Sequence, residues 1–423
     1  MKSWIESANH PECQFPIQNL PFGAGSIGDR SPVCVLAIGD MIADLSKLES
    51  VGLIDTGTGQ QVFNLPSLNA FMRLGKAAWK TVRMQLTELL VEKGNSSLKD
   101  NSDLLSEVLV PAADVVMHLP FAVSEYTDFY AGMQHAKNMG AILRGSEELP
   151  ANWLHIPIGY NGRASSIVVS GTDIHRPLGQ TKAPDTDMPA FGPTKRLDIE
   201  LELGAVVGTG STLGQPITVE EADEMIFGYV LLNDWSARDI QGWEYQPLGP
   251  FQGKAFGTTI SPWVVTTAAL KAFRVAAPVR EKELLPYLVE EKPGLYDIEL
   301  EVTLTPSDAQ APTTITRTNY NRMYFSAAQQ LCHHAVCGCT MNTGDLLGSG
   351  TISGPTRDEY GSLMELSWGG KKPFTLDTGE TRSFIEDGDC LTLKGYAQGD
   401  GFKVGFGDCT GRILPALQSY PSL

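Results

Sequence analysis

The sharpest periodic signal in the chain is an alternation. Residues 197–203 read LDIELEL, which sends Leu197, Ile199, Leu201 and Leu203 to one face of a strand and Asp198, Glu200 and Glu202 to the other. A half-buried strand with a wet outer face satisfies this pattern. Residues 297–302, DIELEV, repeat it with Glu299 and Glu301, so the motif alone singles out neither strand. Residues 33–38 and 41–45 alternate around Gly39 and Asp40, which predicts a hairpin. Between residues 67 and 93, Leu68, Phe71, Met72, Trp79, Val82, Leu86, Leu89 and Leu90 fall at helical spacing. Pro66 precedes them and Gly94 follows, so one helix is expected there. The polar stretch 94–108 reads as a surface loop, and 109–119 leads into a second unit, with a boundary near residue 118.

The second unit begins FAVSEYTDFYAGMQHAKNMGAILRG. Ser124 is placed to cap a helix over 124–140, on which Asp128 and His135, seven apart, would share a face. Residues 150–195 are rich in Pro and Gly and read as loops with short strands. At 231–259 the chain reads LLNDWSARDIQGWEYQPLGPFQGKAFGTT. Leu231 and Leu232 look like the end of a buried strand. Asp234, Arg238, Gln241 and Tyr245 then follow at the spacing of one helix face, and Pro247 and Gly249 stop it. That face is polar, so it either lines a polar pocket or is solvated around an Asp–Arg pair. Residues 326–336 predict a helix with Ser326 and Gln329 as a capping box. Its Cys332, His333, His334, Cys337 and Cys339 do not match the usual zinc spacing. From Leu346 onward the chain reads as all β. GSGTISG at 348–354 is a glycine-rich loop whose amides suit an anion, and Glu365 sits in the expected strand SLMELSW. A carboxylate between Met364 and Leu366 needs a partner if buried. Residues 390–409 read as a hairpin around Gly399, Asp400 and Gly401.

Composition narrows the class. A chain of 423 residues with 42% hydrophobic and 19% charged residues suits two domains, or a large one with a small companion. The 43 glycines and 26 prolines point to many turns and a β-rich body. The net charge of -17 comes without any cluster of Lys and Arg, which argues against a nucleic-acid partner. No apolar run approaches the ~20 residues of a membrane span. The start, MKSWIESANHPECQFP, lacks a signal-peptide pattern, and seven cysteines, an odd number, fit reduced thiols in the cytoplasm. Gly23, Gly25 and Gly28 form a G-x-G-x-x-G string, but Pro21 and Pro32 deny it the strand and helix of a dinucleotide site.

Asp128, the Glu200–Glu202 pair and Asp234 bring four carboxylates from separate elements. Without Cys or His among them, they suit a hard cation such as Ca²⁺ or Mg²⁺. The strings YTDFY, QHA, NWLHIPIGYNGRASS, LDIELEL, NDWSARDIQ, GPFQGKAFGTT, GSGTISGP, MELSWGG and GYAQGDGFKVGFGDC together resemble the fumarylacetoacetate hydrolase family over nearly the whole chain. The resemblance implies an N-terminal SH3-like β-barrel domain over 1–118 and a mixed β-roll catalytic domain over 119–423, in a homodimer. It implies hydrolysis of the carbon–carbon bond of 4-fumarylacetoacetate to fumarate and acetoacetate, the last step of tyrosine and phenylalanine catabolism. It implies that Asp128, Glu200, Glu202 and Asp234 hold the cation, which selects Glu200 and Glu202 over Glu299 and Glu301. Asp234 with Thr258 and the carbonyl of Lys254 would form a second cation position. His135 would be the general base, oriented by Glu365. Arg238, Gln241 and Lys254 would stabilise negative charge, and Tyr130, Arg144, Gln241, Tyr245 and Thr351 would bind the substrate. Asn161 departs from the family's GY-x-GR turn, where histidine is expected, but no role rests on it. Acylpyruvate hydrolases and decarboxylases of the superfamily share the carboxylates and stand as the alternative; the His–Glu pair separates this chain from the decarboxylases and isomerases.

Overall fold

The computed structural model describes residues 1–417, so the last six positions of the expected 119–423 unit lie outside the described residues. The alternating segment forms two strands, Leu197–Asp198 and Leu201–Val207, and its outer face is not wet. Leu201–Val207 is a central strand of an eight-stranded mixed sheet, paired with Ile226–Asp234 on one side and Leu346–Gly348 on the other. Leu201, Leu203, Ala205 and Val207 pack into one core with Leu300, Val302, Leu304, Leu391 and Leu393 of a six-stranded sheet. On the opposite face, Val206, Val230, Leu232 and Leu346 join a second core with Leu36, Ile38, Phe71, Trp79 and Leu86 from the N-terminal part. A strand covered on both faces leaves Glu202 no water to face, and Glu200, just ahead of that strand, is buried as well.

The chain is mainly β with some helix. The expected hairpin is present: Val33–Ile38 pairs with Met41–Asp44, with Ile38 opposite Met41. Phe22–Ile27, Leu109–Pro111 and Val115–His118 complete a five-stranded antiparallel sheet. The long helix is two pieces, Asn69–Arg73 and Lys76–Leu90, because Gly75 adopts φ 81° between them. Its apolar stripe keeps the predicted role, with Trp79, Val82, Leu86, Leu89 and Leu90 buried. The stretch 94–108 is not all loop. Asn101 accepts from the Leu104 amide and starts a helix, Ser102–Val108. The 326–336 helix is Ala327–Ala335 with its capping box formed, and the hairpin at 399–401 joins Cys390–Gly399 to Phe402–Gly405.

Two further local expectations differ from the structure. Residues 124–140 do not form one helix. Tyr126–Phe129 is a strand, parallel to Leu346–Gly348 and antiparallel to Gly159–Asn161, and the helix begins at Met133. Aromatic and β-branched residues in YTDFY favour the strand, and its pairing partners lie far away in sequence. Gly132 makes the turn between them, where a Cβ would stand 2.2 Å from the Thr351 carbonyl oxygen. The second correction concerns Glu365, which lies on a helical turn, Leu363–Leu366, rather than a strand. Ser362 caps that turn by accepting from the Glu365 amide, and 357–359 adds another short helical turn, so the region after Leu346 is not all β.

Candidate active site

Asp128 rides on the strand Tyr126–Phe129, Glu202 on Leu201–Val207 and Asp234 at the end of Ile226–Asp234, while Glu200 lies between the two short strands. Sheet pairing brings them together: one carboxylate oxygen from each lies within 4.8 Å of the others, and all four residues are buried. Gly348 makes room for this, since a Cβ there would meet a Glu202 oxygen at 2.8 Å. One amide of the glycine-rich loop does face an anion, the protein's own: Gly350 N donates to Glu202 Oε2 at 2.9 Å. Tyr160 donates to Asp128 Oδ2.

Two cations partly balance these charges. Lys254 Nζ stands 2.5 Å from Glu200 Oε2, bonds Asp234 Oδ2, and is 4.0 Å from Asp128 Oδ2. Thr258 Oγ1 donates to Asp234 Oδ1 at 3.2 Å. Arg238, on the helix Arg238–Glu244, donates from Nη1 to Glu200 Oε1 at 2.7 Å and to Gln241 Oε1 at 3.2 Å. Four carboxylates against two cations leave negative charge over. Burial, then the neighbouring carboxylates, push the Asp128 and Glu202 carboxyls well above their ordinary range. Burial also raises Asp234, with Lys254 opposing. Burial disfavours ionised Glu200 too, but Lys254, Arg238 and His135 outweigh it and hold that carboxyl below its ordinary value. The same attraction, to Asp234, Glu200 and Asp128, outweighs burial at Lys254 and keeps its ammonium charged.

Asp128 Oδ1 and Glu202 Oε1 are buried without a protein partner. Unpartnered, buried carboxylate oxygens are costly, and an all-oxygen anionic donor set fits a hard divalent cation. Arg238 Nη2 and Thr351 Oγ1 are likewise buried without a protein partner.

The helix Met133–Arg144 presents His135 to this cluster. Its Nδ1 lies 2.7 Å from Glu365 Oε2, and its Nε2 lies 3.7 Å from Glu200 Oε1. Glu365 is held on every side: Asn138 Nδ2 donates to Oε1 at 2.8 Å, and Ser362 and Ser353 donate to Oε2 at 2.8 and 3.0 Å. Burial opposes its ionisation, but the charge and hydrogen bond of His135 outweigh that and lower its pKa. The Tyr130 ring packs edge-on to His135 with centroids 5.7 Å apart. Arg144, at the end of that helix, is exposed and bonds the Glu148 carbonyl. Tyr245 is 42% exposed, and its hydroxyl accepts from Gln246. Asp128, Tyr130, His135, Glu200, Glu202, Asp234, Arg238, Gln241, Lys254, Thr258 and Glu365 thus converge, with Thr351 packed at the turn before His135. Arg144 and Tyr245 sit at the exposed margin.

Sequence reasoning missed Tyr160, Asn138, Ser353 and Ser362. Ser362 alone carried a usable signal: S-x-x-E at 362–365 is a capping pattern and marks a helix start.

The family model described as fumarylacetoacetase N-terminal matches residues 18–120, and that described as fumarylacetoacetate (FAA) hydrolase C-terminal matches residues 125–414. A fumarylacetoacetase of Homo sapiens is 50% identical over 412 residues, covering 96% of this chain and 97% of its own. One of Arabidopsis thaliana is 49% identical over 420 residues, covering 98% and 99%. Among solved structures, a fumarylacetoacetate hydrolase from psychrophilic Exiguobacterium antarcticum shares the fold with a TM-score of 0.52 at 16% identity, covering 94% of this chain and 99% of that one. The carboxylate cluster, the His–Glu pair and these full-length matches lead to one assignment: the chain belongs to the fumarylacetoacetate hydrolase family.

Proposed function

We propose that this chain hydrolyses 4-fumarylacetoacetate, a β-diketo acid, to fumarate and acetoacetate. The observation that carries the reading is the buried His135–Glu365 pair set against four convergent carboxylates. Relatives that match it over nearly their full length bear the name fumarylacetoacetase.

Each side chain then has a chemical task. Glu365 accepts from His135 Nδ1, which leaves Nε2 as the base. Nε2 takes a proton as water oxygen adds to the carbonyl on the fumaryl side. The bond to the acetoacetate carbon breaks, its electron pair leaves as an enolate, and that carbon recovers the proton from His135. Arg238 Nη2, the Gln241 amide and Lys254 supply donors where oxygen becomes negative. Gln241 is set for this because its Oε1 already accepts from Arg238, so its amide nitrogen is left to donate. Tyr130, Arg144, Tyr245 and Thr351 bind the substrate with Gln241; the guanidinium suits its terminal carboxylates. Asp128, Glu200, Glu202 and Asp234 would hold Ca²⁺ or Mg²⁺, and Asp234, Thr258 and the Lys254 carbonyl would form the second position. When bound, such a cation supplies Lewis-acid stabilisation to the diketone oxygens.

The finer architecture is also our reading: an SH3-like barrel over 1–118, a β-roll over 119–423, and a homodimer in the cytoplasm. The five-stranded sheet spanning 22–118 and the separate family models support the division. All seven cysteines are free, which supports a reducing compartment, and among the described residues no helix is long and apolar enough to cross a membrane. Turnover of fumarylacetoacetate compared with that of acylpyruvates tests the activity. Turnover of acylpyruvates alone would refute it in favour of the other superfamily chemistry.

A further inference from the structure

Asp198 has no task in the chemistry above, yet it is completely buried, at 0% exposure. Its two carboxylate oxygens receive four donors. Oδ2 accepts from Arg238 Nε at 2.8 Å and from the Met364 amide at 2.9 Å. Oδ1 accepts from the Leu363 amide at 2.7 Å and from the Ile199 amide at 2.8 Å. One carboxylate therefore touches the arginine from one side and the first turn of the helix Leu363–Leu366 from the other. The next residue after Met364 is Glu365.

A guanidinium is a rigid plane. Asp198 fixes Nε, and Glu200 with Gln241 fixes Nη1, which leaves the direction of Nη2 determined. Nη2 is the buried corner without a protein partner. At the other end, the bonds to Leu363 and Met364 fix the backbone that carries Glu365, and hence the carboxylate that meets His135 Nδ1. Both arms start from the strand Leu197–Asp198, which leads straight into Glu200.

We propose that Asp198 is a positioning residue that sets Arg238 Nη2 and the Glu365 turn in one fixed relation. The inference rests on the proposed hydrolase chemistry, in which Arg238 and Glu365 take part. Asp198→Asn tests it because no orientation of an amide satisfies the site. Whichever way it is turned, its NH₂ faces two donors: Arg238 Nε and the Met364 amide, or the Leu363 and Ile199 amides.

The experiment measures kcat and KM on fumarylacetoacetate for Asp198→Asn, Arg238→Met and the double variant, with the Ca²⁺-induced rise in melting temperature as a second readout. We expect Asp198→Asn to lower kcat roughly 10- to 100-fold, the usual range for a group that orients a site residue, with KM changed less than about threefold. The Ca²⁺ response should persist. In the Arg238→Met background the same change should cost markedly less, because one arm is already gone. A wild-type kcat, full multiplication of the two single effects, or loss of the Ca²⁺ response would overturn the proposal. Should Asp198→Asn not fold, Asp198→Glu keeps the charge and displaces it. A folded Asp198→Glu with lowered kcat and retained Ca²⁺ response supports positioning, and failure of both variants to fold marks Asp198 as a purely structural charge. If Arg238→Met and Glu365→Gln, assayed alongside, leave kcat unchanged, the roles proposed for Arg238 and Glu365 fail instead, and absence of fumarylacetoacetate turnover by the wild type would sink the hydrolase reading.

Discussion

Glu365→Gln removes one charge from the pair that the proposed chemistry depends on and changes almost nothing in volume. The carboxylate is 2.7 Å from His135 Nδ1, and both side chains are almost wholly buried. At an effective dielectric constant of about 20, two unit charges at that distance attract by roughly 6 kcal/mol. If about half of a proton charge has reached the imidazole in the transition state, the variant forfeits roughly 3 kcal/mol there, or about 10²-fold in kcat. The ground state loses far less, because a glutamine oxygen still accepts from Nδ1. Asn138 can turn its amide, and Ser353 and Ser362 can rotate their hydroxyls, so the neighbours adapt. The assay is steady-state turnover of fumarylacetoacetate with a parallel thermal melt. A kcat about 10²-fold lower, with KM and melting temperature near wild type, is expected. A kcat within about threefold of wild type would refute the dyad, since it corresponds to a loss under about 1 kcal/mol where roughly 3 is expected.

Other expectations follow from the same geometry. Asp128 and Glu202 have raised pKa values, from burial first and neighbouring carboxylates second. Their protonated forms therefore favour the cation-free fold, fully below the ordinary carboxylate value of about 4, and that contribution fades as pH rises through the raised values. Melting temperature in a chelator should fall as pH rises across this window, while the increment added by Ca²⁺ should grow; a Ca²⁺ increment that shrinks with pH would contradict the cluster's role. Thr351→Val should leave the melting temperature unchanged or slightly higher, because the Oγ1 removed is buried without a protein partner. It should raise KM for fumarylacetoacetate by roughly 3- to 10-fold, the worth of one hydrogen bond; an unchanged KM would remove Thr351 from the substrate site.

Much of the site was legible as residue types, and its assembly was not. Carboxylates without thiols or imidazoles announce a hard cation, and Glu200 and Glu202 stand out on an alternating strand. Their twins Glu299 and Glu301 carry the same local signal. The difference is burial: the 299–305 strand keeps Glu299 exposed, whereas Leu201–Val207 is covered on both faces. Local pattern cannot report what packs on a strand from elsewhere in the chain. The 124–140 segment failed for a related reason, since Tyr126–Phe129 is a strand through its pairing with 346–348. The polar stripe from Asp234 to Tyr245 has the spacing of one helix face, but Asp234 ends a strand and the helix begins at Arg238. Tyr245 accordingly lies at the exposed margin instead of beside Asp234. The apolar neighbours of Glu365 favour a strand over 362–368, whereas the Ser362 cap favours the helical turn that forms.

In the proposed chemistry a cation held by Asp128, Glu200, Glu202 and Asp234 works beside the His135 base on a β-diketo acid. The most direct test is the turnover of fumarylacetoacetate by the purified protein, before and after treatment with EDTA and again after adding Ca²⁺ or Mg²⁺. Turnover that stops with the chelator and returns with the cation is predicted; turnover indifferent to EDTA, or none under any condition, would contradict it.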